Sequence, residues 1–159
     1  MRSGVPLDVV AAVAIIRAST AILRPSPPGR PSGLPQEAAM PDQTTTISTL
    51  RDAMRAFVRE RDWEQFHSPK NLAMALSAEA AELMEHFLWM ENDESRAVAA
   101  DPARRREIVD EIADVLGVCL ALCNALDLDL SDAFLDKMSR NVLKYPADRA
   151  RGKYRLDSE

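Results

Sequence analysis

The chain has 159 residues, which suits one domain with a real core and is short for two ordinary ones. Hydrophobic residues make up 47% of it and aromatic ones only 5%, a balance that favours helices over a sheet-rich fold. The net charge is -5. Residues 1–40 carry four arginines against Asp8 and Glu37, so the remainder, with 16 basic and 23 acidic residues, stands at -7. An acidic domain excludes non-specific binding to a nucleic acid backbone. It does not exclude small phosphorylated ligands, because a cation can bridge acid and phosphate.

Seven of the ten prolines and three of the five glycines fall in residues 1–41. The run from Pro25 to Pro35 cannot hold regular structure and reads as a disordered linker. Before it, the apolar stretch Leu7–Ile16 is too short to span a bilayer. Asp8 and Arg17 flank it closely and no clean cleavage site follows, so it is not read as an export signal. Residues 1–42 are therefore expected to be a Pro-rich extension, with translation starting at Met40 as the preferred reading, and 43–159 to be the working domain.

From Thr46 onward the periodicity predicts four helices. The first covers about 47–61, with Ile47, Leu50, Met54, Phe57 and Val58 on one side. The second opens with a Ser68 cap and Pro69 and runs to about Met90. The third repeats that signal with Asp101 and Pro102 and reaches about Leu126. Its Ile108, Ile112, Val115, Cys119, Leu122 and Leu126 form a stripe expected to face the core. The fourth starts near Ser131, carries Phe134, Leu135, Met138 and Val142, and stops before Pro146. Connections are short and no strand alternation appears. The fold class expected is all-α, an antiparallel four-helix bundle. Cys119 and Cys123, four apart in an apolar run, read as small buried hydrophobes and fit a reducing cytoplasm.

Helices two and three each carry a pair of acids where apolar residues are expected. Advancing about 100° per residue from Leu72 puts Glu79 inside the apolar stripe and Glu82 at its edge. Counting from Ile108, Glu111 falls between Val115 and Val118, with Asp114 at the border. Buried carboxylates are costly, so they are paired, protonated or metal-bound. Oxygen-only donors suit a hard cation such as Mg²⁺, with Mn²⁺ as a substitute. A di-iron bundle would need Glu-x-x-His pairs; here Glu82 and His86 are four apart and the third helix has no histidine.

The segments Arg61-Asp62-Trp63-Glu64-Gln65-Phe66-His67, Pro69-Lys70-Asn71, Glu79-Ala-Ala-Glu82, Glu111-Ile-Ala-Asp114 and Lys144-Tyr145-Pro146 closely resemble the all-α nucleoside triphosphate pyrophosphohydrolases, specifically the dCTP pyrophosphatase branch related to MazG. The resemblance covers about residues 46–155. It implies that Glu79, Glu82, Glu111 and Asp114 hold Mg²⁺ and do the catalytic work, converting a nucleoside triphosphate to its monophosphate and pyrophosphate. It implies that Trp63 and Trp89 enclose the base, that His67 bonds the base or sugar, and that Lys70, Asn71, Lys137, Asn141, Lys144 and Tyr145 contact substrate. The Gly152-Lys153-Tyr154 tail echoes a family ending, which implies closure over the nucleotide, and the resemblance also implies assembly as a dimer or tetramer. His86, beside Glu85, is not part of the pattern. The competing reading is a helical interaction module without catalysis. Neither nucleic acid nor membrane is an expected partner.

Overall fold

The structure is a computed structural model and describes residues 41–153. Most of the extension assigned to 1–42 and the Tyr154 end of the tail therefore lie outside the described residues. Pro41–Thr44, at the edge of that extension, form a helical turn, α1. The described residues are helical throughout and contain no β-strand. They divide into two compact units, one ending at Leu126 and one starting at Asp127.

In the first unit, α2 spans Ile47–Glu60 and is capped by Thr46, whose hydroxyl accepts from the Thr49 N–H at 3.1 Å. Its end is set by Asp62, which takes a positive φ of 54°. The Asp62 N–H donates to the Arg59 carbonyl and the Trp63 N–H to the Val58 carbonyl, both at 3.0 Å. That pair of bonds closes the helix with a left-handed residue, a conformation Asp reaches more readily than most side chains. A short 3₁₀ turn, Glu64–Phe66, follows.

Helix α3, Pro69–Glu85, starts as its sequence signal requires, with the Ser68 hydroxyl accepting from the Asn71 N–H. It ends five residues earlier than Met90: the chain turns through residues 86–89. Helix α4, Asn92–Ala97, and a 3₁₀ turn at Val98–Ala100 fill a connection that carries no helical periodicity. The Glu94 carboxylate supports it by accepting from the Glu91 N–H at 2.9 Å. Helix α5, Pro102–Ala125, is capped by Asp101, which accepts from the N–H groups of Ala103 and Arg104. Arg104, Arg105 and Arg106 are exposed in its opening turns.

Leu72 and Ala75 of α3 pack against Val118 and Ala121 of α5, with Met54, Leu76 and Leu122 around them. Numbers rise along one helix as they fall along the other, so the pair is antiparallel. Helix α2 lies on α5 in the same sense, with Arg51 at Asn124 and Met54 at Gly117. A Cβ on Gly117 would stand 3.1 Å from the Met54 terminal methyl, so the glycine makes room for it.

The buried side of α5 corrects the expected stripe. Ile108 of that stripe is buried, as are Gly117, Val118, Leu120 and Ala121 beside it, whereas Ile112 is 51% exposed and Leu126 46%. Two helices, not one, press on α5, and they meet it on the side of its small residues. Val109, Ile112 and Leu116 are left as an exposed apolar row.

The second unit holds α6, Leu130–Lys144, capped by Asp129, and the short α7, Ala147–Ala150. No residue of α6 is buried; Phe134, Leu135, Met138 and Val142, expected in a core, are exposed. Among the described residues the apolar face of this amphipathic helix is open. No helix of the described residues is long and apolar enough to cross a membrane.

Candidate active site

Two helical turns beyond the Leu72–Val118 packing, the α3–α5 seam changes from hydrocarbon to carboxylate. Glu79 is buried at 2% exposure, and Glu82 and Glu111 are half-buried. One carboxylate oxygen from each lies within 4.8 Å of the others. Glu79 and Glu82 are three apart on α3 and share one surface, and the antiparallel register brings Glu111 of α5 to face them. Three of the four expected acids are thus gathered. Asp114, half-buried and three residues further along α5, is not one of that trio.

The trio fits a hard divalent ion. Around one octahedral Mg²⁺ neighbouring oxygens stand about 2.9 Å apart and opposite ones about 4.1 Å, separations that side-chain rotation reaches from oxygens already within 4.8 Å of one another. Glu111 Oε2 is buried and has no hydrogen-bond partner among the described residues. A buried carboxylate oxygen left in that state is costly unless a cation meets it.

The aromatic residues occupy two environments. Trp63 is half-buried and meets Phe57 edge to face, with centroids 5.9 Å apart at 74°. The Arg61 guanidinium covers the Phe57 ring at 3.7 Å. Trp89, in the turn after α3, is 93% exposed.

Asn71 is buried, and its Nδ2 donates to the Phe66 carbonyl at 2.9 Å. That bond joins the 3₁₀ turn to the start of α3. Lys70 beside it is exposed. His67 is half-buried, its Nε2 buried without a hydrogen-bond partner, and burial holds its pKa below the ordinary value. It lines a cavity of about 340 Å³ with Met54, Arg55, Val58 and Asn124.

Sequence reasoning missed the polar knot beside that cavity. Asn124 Oδ1 accepts from Arg51 Nε at 3.0 Å and from Arg55 Nη2 at 3.1 Å, while its Nδ2 donates to the Arg51 carbonyl. The signal was present: Asn124 is the one polar residue from Val118 to Leu126 apart from two cysteines.

The expected residues of the second unit sit on α6 and its end. Lys137, Asn141 and Lys144 follow a four-then-three spacing that puts them on one face. Asn141 is half-buried; Lys137, Lys144 and Tyr145 are exposed, and Lys144 Nζ lies 5.2 Å from the Tyr145 ring centre.

The described residues thus form an all-helical fold in which an antiparallel helix pair gathers a carboxylate trio that could hold a metal ion. The profile of the MazG-like family matches residues 74–155, and the chain belongs to that family. It is 40% identical over 118 residues to the dCTP pyrophosphatase 1 of Mus musculus, covering 72% of this chain and 69% of that protein. It is also 40% identical over 114 residues to that of Homo sapiens, covering 72% and 67%. For the Bos taurus protein the identity is 39% over 107 residues, covering 67% and 63%, so the chain spans about two thirds of the length of these relatives. Among solved structures, a pyrophosphatase from Archaeoglobus fulgidus matches with a TM-score of 0.59 and 40% identity, covering 63% of this chain and 92% of that one.

Proposed function

We propose that this chain is a Mg²⁺-dependent hydrolase that converts dCTP, or a related modified nucleoside triphosphate, to the monophosphate and pyrophosphate, clearing it from the nucleotide pool. The broader assignment, a nucleoside triphosphate diphosphatase, rests on the family match and on relatives at about 40% identity. The single observation that carries the finer reading is the trio of Glu79, Glu82 and Glu111 oxygens on the buried α3–α5 seam.

In this reading Glu79, Glu82 and Glu111 hold the ion and Asp114 joins them or orients the attacking water. A divalent ion there supplies charge neutralisation for the phosphates and activation of water. Trp89 presents a ring to the base, Trp63 supports the other side, and Lys70, Asn71, Lys137, Lys144, Asn141 and Tyr145 contact substrate. His67 contributes a neutral imidazole.

The open apolar row of α5 and the open face of α6 support a homo-oligomer, dimer or tetramer, in which α6 completes a four-helix bundle. Cys119 and Cys123 are free thiols, which supports a cytoplasmic setting. Residues 43–159 are taken as the functional domain.

The test is a panel of canonical and modified nucleoside triphosphates incubated with the purified protein and Mg²⁺, scoring both products. Monophosphate and pyrophosphate are expected, with cytosine nucleotides preferred. Release of inorganic phosphate would overturn the reaction, and no turnover of any member would favour the non-catalytic module.

A further inference from the structure

Cys119 and Cys123 are free thiols four residues apart on α5, and both are half-buried where the apolar run predicts fully buried hydrophobes. The reason is the side they face. Ile112, Leu116, Cys119, Cys123 and Leu126 follow one another at spacings of four, three, four and three, so they form one row along the helix. Helices α2 and α3 meet α5 elsewhere, at Gly117, Val118 and Ala121, and Ile112, Leu116 and Leu126 are exposed.

Geometry keeps the two thiols from closing on each other. Residues four apart on a helix hold their Cβ atoms about 5–6 Å apart, whereas a disulfide needs about 3.5–4.5 Å. Helix α5 runs unbroken through both positions. A bridging ion relaxes that demand. At about 2.3 Å per soft metal–sulfur bond, two sulfurs on one ion stand at most about 4.6 Å apart, and sulfurs one bond beyond those Cβ atoms can lean to that separation. Burial, and then the charge of Cys123, push the Cys119 thiol above its ordinary pKa. Two thiolates here oppose each other unless a cation stands between them.

The surroundings choose the cation. Thiolates are soft donors and select Cu(I) or Zn²⁺ over Mg²⁺. Zn²⁺ asks for four ligands. The row offers two sulfurs and otherwise hydrocarbon, and α5 has no histidine. Among the described residues neither sulfur joins a group of three or more ligating side chains. Cu(I) is satisfied by two thiolates in line and needs no further donor, so the site stays complete if another apolar face covers the row.

We propose that Cys119 and Cys123 form a two-sulfur site for a soft monovalent cation of the Cu(I) class. Binding makes two sulfur–metal bonds and releases the two thiol protons to solvent. Cys119 lies eight residues from Glu111, about 12 Å along the helix axis, and its hardness differs from that of the carboxylates, so this site does not compete for the ion of the trio.

The reduced, metal-free protein is titrated anaerobically with Cu(I) against a chromogenic Cu(I) chelator. The unaltered chain is expected to withdraw one Cu(I) per chain. Cys119→Ser and Cys123→Ser are each expected to raise the Kd about 100-fold or more, beyond the usual effect of losing an outer-shell partner. X-ray absorption of the loaded unaltered protein, which needs no variant to fold, should show two sulfur neighbours around copper. Retention of all the copper by the chelator would overturn the proposal. So would a Kd within about threefold of the original in either variant, or a copper centre surrounded by nitrogen or oxygen alone.

Discussion

Trp63 meets Phe57 edge to face at 5.9 Å because the backbone reverses between them at Asp62. The apolar contact spans the capping bonds that close α2, an arrangement that commonly accompanies a left-handed helix end. Trp63 is therefore a fastener of the fold as well as a candidate wall for the base. Trp89, almost fully exposed, has no comparable structural task.

The two tryptophans should separate stability from binding. Trp63→Ala is expected to lower unfolding free energy by about 1.5–3 kcal/mol, below the range for a fully buried aromatic because the ring is half-exposed. Trp89→Ala should stay within about 0.5 kcal/mol of the unaltered protein. It should weaken nucleotide binding by roughly 1–3 kcal/mol, the usual value of a stacked base. Urea unfolding and nucleotide titration of both variants check this, and a reversed pattern would count against it.

Asp62 gives a second stability test. Asp62→Gly removes the Cβ from a left-handed residue and is expected to leave stability equal or higher by up to about 1 kcal/mol. Asp62→Val forces a branched side chain into the same φ and should cost about 1–2 kcal/mol. Equal effects in thermal unfolding would show that the turn does not need its present conformation.

The carboxylate trio predicts opposite responses without and with metal. Mg²⁺ should stabilise the unaltered protein by about 2.7 kcal/mol when present at 100 times its Kd. Glu79→Gln should abolish most of that gain and lower turnover on the order of 100-fold or more. Without metal the same variant should be no less stable, since one buried charge has gone. Thermal shifts with and without Mg²⁺ read all three quantities' signs directly, turnover being assayed in parallel.

His67 sets a pH dependence. Burial lowers its pKa below the ordinary value of 6.5, so the unfolded chain takes up a proton more readily than the folded one. Its contribution to stability is therefore level above about pH 6.5, falls as pH drops towards the lowered folded value, and levels again below it. His67→Gln lacks that loss. The stability of the unaltered protein relative to the variant should thus decline between about pH 7 and 5. A difference independent of pH across that interval would contradict the burial argument.

Local signals explain what was readable in the sequence. Ser68-Pro69 and Asp101-Pro102 each place a cap and an N1 proline side by side, so the starts of α3 and α5 follow from single dipeptides. Glu79 was conspicuous because a carboxylate stood within an apolar stripe. The side on which α5 is buried was not readable, because periodicity gives a helix two or three possible apolar faces when small and branched residues circle it. Contact with α2 and α3 chose the face of Gly117, Val118 and Ala121 over that of Ile112 and Leu126. Helix α4 was hidden for a different reason: Asn92–Ala97 has no apolar repeat, and its start relies on the Glu94 carboxylate instead. Asn71 was singled out by its neighbours in sequence, and the bond from its amide to the Phe66 carbonyl was not readable from them.

The most direct test of the metal site is anomalous diffraction from crystals grown with Mn²⁺ and α,β-imido-dCTP. A manganese peak bonded to oxygens of Glu79, Glu82 and Glu111, and to the phosphate chain, is the predicted result. Phosphates bound elsewhere, with those three carboxylates turned to solvent and no anomalous peak between them, would contradict it.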